Sequence, residues 1–253
     1  MDEKLLNFDR EKHILYSKNV KSLILDKLNK RYSKEEATLK WDKIQNQYVS
    51  YLSTLPYLGG KGCRHNGVGG TYDCIALFSY YQVEKDSIYL SDTKKAIDEL
   101  YEMNNALFLP SFARMGKILN VNSYFGKRIL HLAFKITAKV DAKIAKKSVN
   151  NSEEECSSGG YIMKVPPLKD NRVYYHFDRC PIAEFAKKNN LLHIMPSFCN
   201  GDYPALSLVH ASLIRNHTCA NSSSCDFLIV GDKSNDAKSH PKKILQSTIT
   251  ILL

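Results

Sequence analysis

Hydrophobic residues early in the chain recur at intervals of three and four positions. This spacing is typical of a buried helix face, and it passes through two groups, Leu23, Ile24 and Leu28, then Trp41, Ile44, Tyr48 and Leu52. Between the two groups, Ser33 is followed three residues later by Glu36, which is the spacing of a helix capping box. The pattern therefore predicts an N-terminal helical hairpin within residues 18–55.

A glycine-rich segment separates this hairpin from the next helix. Four glycines fall within residues 62–70, and glycine favours loops because it tolerates positive φ angles. We therefore predict a loop there, followed by a helix over residues 72–81 with Thr71 or Asp73 as its N-cap. Further helices are predicted over residues 92–104 and 121–147.

The last of these helices is rich in lysine. Ile136, Val140 and Ile144 recur at four-residue spacing among the lysines, which is the pattern of an amphipathic helix. We expect these three side chains to be buried and the basic face to be solvated.

The pattern changes after residue 147. Residues 148–160 are polar, acidic and rich in serine and asparagine, which predicts a loop. Strands are then predicted over residues 161–165 and 172–177 as an antiparallel pair, and over residues 206–217 and 226–230, with a turn at residues 221–224. Pro181 favours the first turn of a short helix that runs to about Lys188.

Together these elements predict an α+β fold, in which a mostly helical N-terminal part is followed by a small antiparallel sheet with flanking helices. The predicted division is a helical part over residues 1–147, a polar loop over 148–160 and an α+β part over 161–253. We expect the parts to pack as one compact unit. The pattern leaves the last residues open as a strand or a helix.

Composition agrees with a soluble globular protein. The 253 residues are 43% hydrophobic and 25% charged. The first residues lack the apolar segment of a secretory signal, and no apolar run is long enough to cross a bilayer. We therefore expect a cytoplasmic protein whose seven cysteines are reduced thiols. A homodimer is left open.

The net charge of +10 would also suit a nucleic acid or an acidic membrane surface. The basic residues are spread along the chain, however, and no nucleic-acid-binding motif accompanies them. We expect a small-molecule substrate, with neither nucleic acid nor membrane as partner.

Candidate chemistry is concentrated in the last third of the chain. Cys199 and Asp202, then Arg215, then Cys225 and Asp226 follow one another there. A thiolate near a cation can act as a nucleophile, a carboxylate can activate water, and an arginine can bind a substrate carboxylate. The alternative is that the cysteines are buried small hydrophobic residues and that Asp226 caps or turns the chain.

Three further sets of residues bear on this site. His210 is a second candidate cation for a thiolate or a substrate, and Lys61 and Asn66 of the glycine-rich segment are expected to line the same pocket. A metal site is conceivable from the cysteines and histidines, but no close Cys-x-x-Cys or His-x-x-x-His pair is present, so we predict no cofactor and no metal.

Cys74 is a separate candidate nucleophile. It follows the glycines in a Tyr-Asp-Cys segment that resembles the nucleophile segment of papain-like peptidases, in which a helix N-terminus lowers the cysteine pKa. The alternative interpretation of Cys74 is a buried helix cysteine.

The C-terminal motifs resemble those of the L-2-amino-thiazoline-4-carboxylic acid hydrolase family. They comprise Cys-Pro at Cys180, Cys199-x-x-Asp202, Arg215 and Cys225-Asp226-Phe227. An upstream Leu-Pro-x-x-Gly-Gly-Lys segment at residues 55–61 and an Ala-Leu pair at residues 76–77 extend the resemblance. The chain departs from the family pattern at residues 220–224, where glycines are usual, and at His217.

The resemblance implies hydrolysis of a carbon–nitrogen or carbon–sulfur bond that is not a peptide bond, as in the opening of 2-amino-thiazoline-4-carboxylate to N-carbamoyl-cysteine. By this resemblance Cys199 or Cys225 would supply the thiol, and Asp202 would act as the acid or base. Arg215 would bind a substrate carboxylate, and Asp226 would also contact the substrate. The rival hypotheses are a papain-like cysteine amidase or amidotransferase that uses Cys74, and a binding module without enzymatic activity.

Overall fold

The computed structural model describes residues 16–52, 67–88, 92–150, 161–170 and 172–240. The helices of these segments are α1 (Lys18–Arg31), α2 (Lys34–Leu52), α3 (Gly67–Ile88), α4 (Thr93–Gly116), α5 (Tyr124–Asn150), α6 (Pro181–Lys188), α7 (Pro196–Cys199), α8 (Asp202–Ser207) and α9 (Asn235–Ser239). The strands are β1 (Ile162–Lys164), β2 (Val173–Arg179), β3 (Ala211–Ile214) and β4 (Cys225–Gly231). The predicted α+β class is confirmed, whereas the predicted division into three parts stays a prediction.

The four strands form one antiparallel sheet in the order β1-β2-β4-β3. Its inner face carries Val173, Tyr175, Phe227, Ile229 and Leu213, which belong to one buried cluster. Side chains alternate between the two faces of a strand, so Asp226 points away from that cluster. The helix α5 packs against β1 and β2.

The N-terminal helices form a second buried cluster. It contains the predicted apolar positions of the hairpin, including Ile24, Trp41 and Ile44, and extends to Phe185 of α6 and Phe198 of α7. The predicted hairpin is therefore confirmed. The backbone N–H of Glu36 donates a hydrogen bond to Ser33 Oγ at 3.2 Å, so Ser33 caps α2 as predicted.

Arg31 connects three of these helices. At the end of α1 it donates a hydrogen bond to the hydroxyl of Tyr80 in α3 at 2.7 Å and forms an ion pair with Glu99 in α4. The Tyr80 hydroxyl in turn donates to Glu99 at 2.6 Å. These bonds satisfy a buried carboxylate between the helices, which would otherwise be costly to bury.

Several predicted boundaries are wrong. The helix α3 begins at Gly67, within the predicted glycine loop, so Thr71 and Asp73 lie inside the helix and neither is its N-cap. Thr71 instead shares a hydrogen bond with Tyr161 at 2.9 Å, while Asp73 accepts one from the Ser17 backbone at 2.6 Å. Both side chains therefore serve tertiary contacts.

The predicted strand over residues 206–217 is also too long. Its first part lies in α8 and in a turn, and only Ala211–Ile214 forms β3. The helix α4 is longer than predicted and continues through Pro110 to Gly116, because it packs along α7 and α8. A Cβ at Gly116 would lie 1.9 Å from the Leu208 carbonyl oxygen, so glycine is required for this close approach.

The helix α5 is rotated relative to the prediction. Its buried residues include Leu130, His131 and Asp141, whereas Leu132 and Ile136 are more than half exposed. The prediction that Ile136 is buried is wrong. The helix turns two ionisable residues toward the protein because Phe134 and Ala138 pack on the sheet cluster, and residues on the same face follow them inward.

Asp141 is therefore expected to destabilise the fold near neutral pH. It is 3% exposed, its Oδ1 has no hydrogen-bond partner in the part of the chain that the structure describes, and burial raises its pKa from 3.8 to about 6. A raised folded-state pKa favours folding only while the carboxyl is protonated, so stability should fall as pH rises from about 4 to about 6. Asp141→Asn should increase the free energy of unfolding by about 1–3 kcal/mol at pH 7 and change it little at pH 4.

Denaturant unfolding at the two pH values measures this effect. Asp98→Asn is the control, because the Asp98 side chain is 57% exposed in an ion pair with Lys94. This substitution should change the free energy of unfolding little at either pH. A loss of stability in Asp141→Asn at pH 7 would contradict the prediction, because it would show that the Asp141 carboxylate stabilises the fold.

Candidate functional site

A cavity of about 450 Å³ lies between the inner face of the sheet and helices α4, α6 and α7. The rings of Phe108, Phe177, Phe198 and Phe227 form much of its wall. The connection between β3 and β4 contributes further lining residues, among them Thr218. The cavity is thus mainly apolar, and it brings together residues from both halves of the chain.

Arg215 and Asp202 form the charged part of the cavity wall. Arg215 directly follows β3, and Asp202 is the first residue of α8. The Arg215 Nη1 donates to Asp202 Oδ2 at 2.8 Å, and Nη2 donates to the Cys199 carbonyl oxygen at 2.6 Å. The Arg215 side chain is only 2% exposed, so this is a buried ion pair.

Two aromatic rings contact the Arg215 guanidinium group. The Arg215 guanidinium carbon lies 5.1 Å from the centre of the Tyr203 ring and 5.3 Å from that of Phe227. Such cation–π contacts are strongest where water is excluded. The Arg215 Nε has no hydrogen-bond partner among the described residues. The guanidinium is therefore held rigidly, and its Nε–H is buried without an acceptor among the described residues.

Asp202 combines burial with access to the cavity. Its side chain is 29% exposed, and it lines the cavity. Burial raises the pKa of the Asp202 carboxyl above its ordinary value, against the opposing effect of Arg215. A raised pKa makes a carboxylate a stronger base, so Asp202 can accept a proton from water.

Five cysteines line the same cavity, namely Cys74, Cys180, Cys199, Cys219 and Cys225. Burial raises the pKa of Cys199 to about 12 and the pKa of Cys219 to about 11. Burial also raises the thiol pKa of Cys225, although Arg215 opposes the shift. These thiols are protonated at neutral pH, so the resting cavity holds no ready thiolate nucleophile.

Cys74 does not occupy a helix N-terminus. The helix α3 begins at Gly67, so Cys74 lies two turns inside it. Burial raises the pKa of the Cys74 thiol well above its ordinary value. The physical reason for a papain-like role, a thiol activated by the helix end, is therefore absent. Cys74 lines the cavity as a buried thiol, which agrees with its alternative interpretation.

Asp226 caps the backbone segment that directly follows Arg215. It is 8% exposed, and its Oδ1 accepts hydrogen bonds from the backbone N–H groups of Asn216 at 3.1 Å and His217 at 3.0 Å. Cys225 and Phe227 line the cavity, but Asp226 does not, because successive residues of β4 point to opposite faces. The structure thus places Asp226 in a capping position rather than at the predicted substrate contact.

Of the remaining sequence candidates, the structure describes His210, which lies away from the cavity. His210 is exposed in the turn before β3, where it adopts a φ of 58°, and it is not part of the cavity wall. Lys61 and Asn66 lie outside the described residues. Cys199, Asp202, Arg215, Cys225 and Cys74 are the predicted site residues that the structure brings together.

The sequence prediction missed other residues of the cavity. Cys219 lies in the connection before β4 and donates a sulfur hydrogen bond to the Phe177 carbonyl oxygen at 3.6 Å. Tyr161 also reaches the cavity, as does Cys180 of the Cys-Pro motif. Nothing in the local spacing of Cys219 and Tyr161 marks them, because strand pairing and helix packing bring them to the cavity.

The structure gives no support to a metal centre or a membrane span in the parts of the chain that it describes. Within residues 16–52, 67–88, 92–150, 161–170 and 172–240, no three His, Cys, Asp or Glu side chains are grouped so that they could bind a metal ion. No helix in those segments combines the length and the apolar character that crossing a bilayer requires.

Residues 112–229 match the family model described as L-2-amino-thiazoline-4-carboxylic acid hydrolase. The match supports the resemblance indicated by the C-terminal motifs, and Cys199, Asp202, Arg215 and Cys225 all fall within it. The upstream motif at residues 55–61 lies outside both the matched segment and the described residues. Comparisons with curated proteins and with solved structures found no significant match.

Proposed function

We propose that the protein is a hydrolase that cleaves a carbon–nitrogen or carbon–sulfur bond other than a peptide bond, with water activated by Asp202. The observation that carries the proposal is the buried ion pair between Arg215 and Asp202 on the cavity wall. The family match supports hydrolysis, and the pair supplies a positioned carboxylate to perform it.

In this proposal the two carboxylate oxygens of Asp202 have different tasks. Arg215 binds Asp202 Oδ2, so Oδ1 is the oxygen that accepts the proton of an attacking water. The water oxygen then adds to the electrophilic carbon, and the proton is passed to the leaving nitrogen or sulfur as its bond to that carbon breaks. Arg215 keeps the carboxylate oriented.

In this proposal the thiols shape the cavity wall and do not attack the substrate. A thiol with a pKa of about 12, as Cys199 has, contributes almost no thiolate at neutral pH. Asp202 and Cys225 share one cavity, but the negative charge of Asp202 disfavours a second negative charge there. Water activated by a carboxylate avoids that repulsion.

We expect Asp202→Asn to lower kcat by about 100-fold or more, which is the contribution typical of a general base. Cys199→Ser and Cys225→Ser should each keep kcat within about tenfold of the wild type. The measurement follows the hydrolysis of 2-amino-thiazoline-4-carboxylate, its methyl ester and octanamide by mass spectrometry. His210→Ala serves as a control outside the cavity, and circular dichroism confirms that each variant is folded.

The pH dependence provides a second readout. Because burial raises the pKa of Asp202, activity should rise with pH along a limb that lies above the ordinary aspartate range near 4, and Asp202→Asn should abolish this limb. Loss of turnover in Cys199→Ser or Cys225→Ser, with Asp202→Asn still active, would show a thiol mechanism instead. An absence of hydrolysis of all three compounds by the wild-type protein would contradict the proposed activity.

A further inference from the structure

We infer that the cavity takes a substrate with an extended apolar body and an uncharged amide-like or amidine-like head. The inference rests on the proposed function for the bond that is cleaved, and it goes beyond it by defining the substrate class. It differs from the prediction made from the motifs, in which Arg215 binds a substrate carboxylate.

The size of the cavity is the first argument. Its volume of about 450 Å³ falls within the range of roughly 300–1,000 Å³ that proteins use for drug-sized ligands. A molecule of amino-acid size would leave much of this space unfilled. Unfilled apolar space forfeits the dispersion contacts that a fitting ligand would make, so a larger substrate is favoured.

The chemistry of the wall is the second argument. Besides the four phenylalanine rings, the wall contains Ile182, Ala183, Met195 and Ala220. The cavity-lining thiols are protonated and behave as small apolar groups. Such a wall stabilises an alkyl or aromatic group by excluding it from water, whereas it offers little to a strongly hydrated substrate.

The charge of the site is the third argument. Among the described residues that line the cavity, the charged ones are Asp202 and Arg215. They form an ion pair at 2.8 Å. Their charges cancel, and both terminal nitrogens of Arg215 already donate hydrogen bonds. A substrate carboxylate would therefore be desolvated without a net positive charge to compensate it.

An uncharged head fits the hydrogen-bonding groups that remain. Arg215 lines the cavity, and its terminal nitrogens each carry a second N–H beyond the bonds to Asp202 and Cys199, which can donate to a carbonyl oxygen or an imine nitrogen. The free oxygen of Asp202 can accept from an amide N–H or from the attacking water. The apolar body would extend from this head along Phe227 and Phe177 toward Phe108.

Binding of fatty amides tests this inference independently of turnover. Isothermal titration calorimetry on the Asp202→Asn variant, which should not consume the ligand, compares butanamide, hexanamide and octanamide. Affinity should increase by about fourfold for each added methylene, as expected for apolar burial. Octanoate is titrated into the wild-type protein, in which Asp202 balances the charge of Arg215, and it should bind there at least tenfold more weakly than octanamide. The wild-type protein is titrated in parallel, to show that the amide series does not depend on the substitution.

Two matched alanines locate the apolar body. Ala220 is half-buried and lines the cavity, whereas Ala237 is half-buried on α9 outside it. Ala220→Trp should weaken octanamide binding at least tenfold and affect butanamide less, whereas Ala237→Trp should leave both affinities unchanged.

The inference is overturned by equal affinities for butanamide and octanamide, by tighter binding of octanoate, or by equal effects of the two tryptophan variants. These outcomes differ from failure of the proposed function. If octanamide binds as expected but no amide or amidine is hydrolysed, the ligand class stands and the catalytic proposal fails. If hydrolysis occurs without any dependence on chain length, the catalytic proposal stands and the proposed ligand class fails.

Discussion

Arg215→Met should lower the free energy of unfolding by about 3–5 kcal/mol, which is the usual cost of removing one partner from a buried ion pair. The substitution leaves Asp202 without its cation and the Cys199 carbonyl oxygen without its 2.6 Å hydrogen bond. It also removes the guanidinium from its position beside the Tyr203 and Phe227 rings. Urea unfolding followed by tryptophan fluorescence measures the loss.

The matched control is Arg172→Met. Arg172 forms a bidentate pair with Asp236 at 2.9 and 3.0 Å, but its side chain is 46% exposed, so its removal should cost no more than about 1 kcal/mol. The double variant Asp202→Leu with Arg215→Met should regain much of the lost stability, because an apolar pair leaves no uncompensated charge. A loss in Arg215→Met as small as that in the control would show that the pair is not buried in solution.

Asp226→Ala should lower the free energy of unfolding by about 3 kcal/mol, because it leaves the backbone N–H groups of Asn216 and His217 without their charged acceptor. Arg215 is the neighbouring residue, so loss of this cap should also disturb the ion pair with Asp202. We therefore expect kcat to fall in Asp226→Ala, with a smaller change in KM.

Asp178→Ala is the control for this prediction. Asp178 is on the same strand face as His176 and forms an ion pair with Lys164 at 2.5 Å, but its side chain is 34% exposed. Its removal should cost no more than about 1 kcal/mol. If Asp226 binds substrate, as the motif comparison implied, Asp226→Ala would instead raise KM strongly while the stability stayed near that of the wild type. The two readouts therefore separate a cap from a substrate contact.

The general fold could be predicted from local pattern, because helix and strand periodicities depend on neighbouring residues. The hairpin of α1 and α2 and the antiparallel pairing of β1 with β2 follow from spacing and turn chemistry. Boundaries were predicted less well, as α3 shows. Gly67 to Gly70 suggest a loop when read alone, and yet they open a helix whose later residues pack in the core.

The candidate site could be predicted in part. Cys199 and Asp202 are close in sequence, and Arg215 and Cys225 follow in the order of the family motif, so their association could be inferred. Their protonation could not, because the pKa of a thiol depends on its burial. The role of Asp226 was equally hidden, since only the pairing of β4 with its neighbours decides which of Cys225, Asp226 and Phe227 faces the cavity.

The sequence by itself determined the α+β class, the resemblance to the family and the residues that carry charge at the site, because these depend on residue type and order. Only the tertiary structure decided that five thiols line one cavity, that Arg215 and Asp202 neutralise each other there, and that α5 turns Asp141 inward. Burial and net local charge arise from contacts between segments distant in sequence. A local sequence pattern does not specify burial or net local charge. These two properties set the protonation of each group and the ligand that the cavity favours.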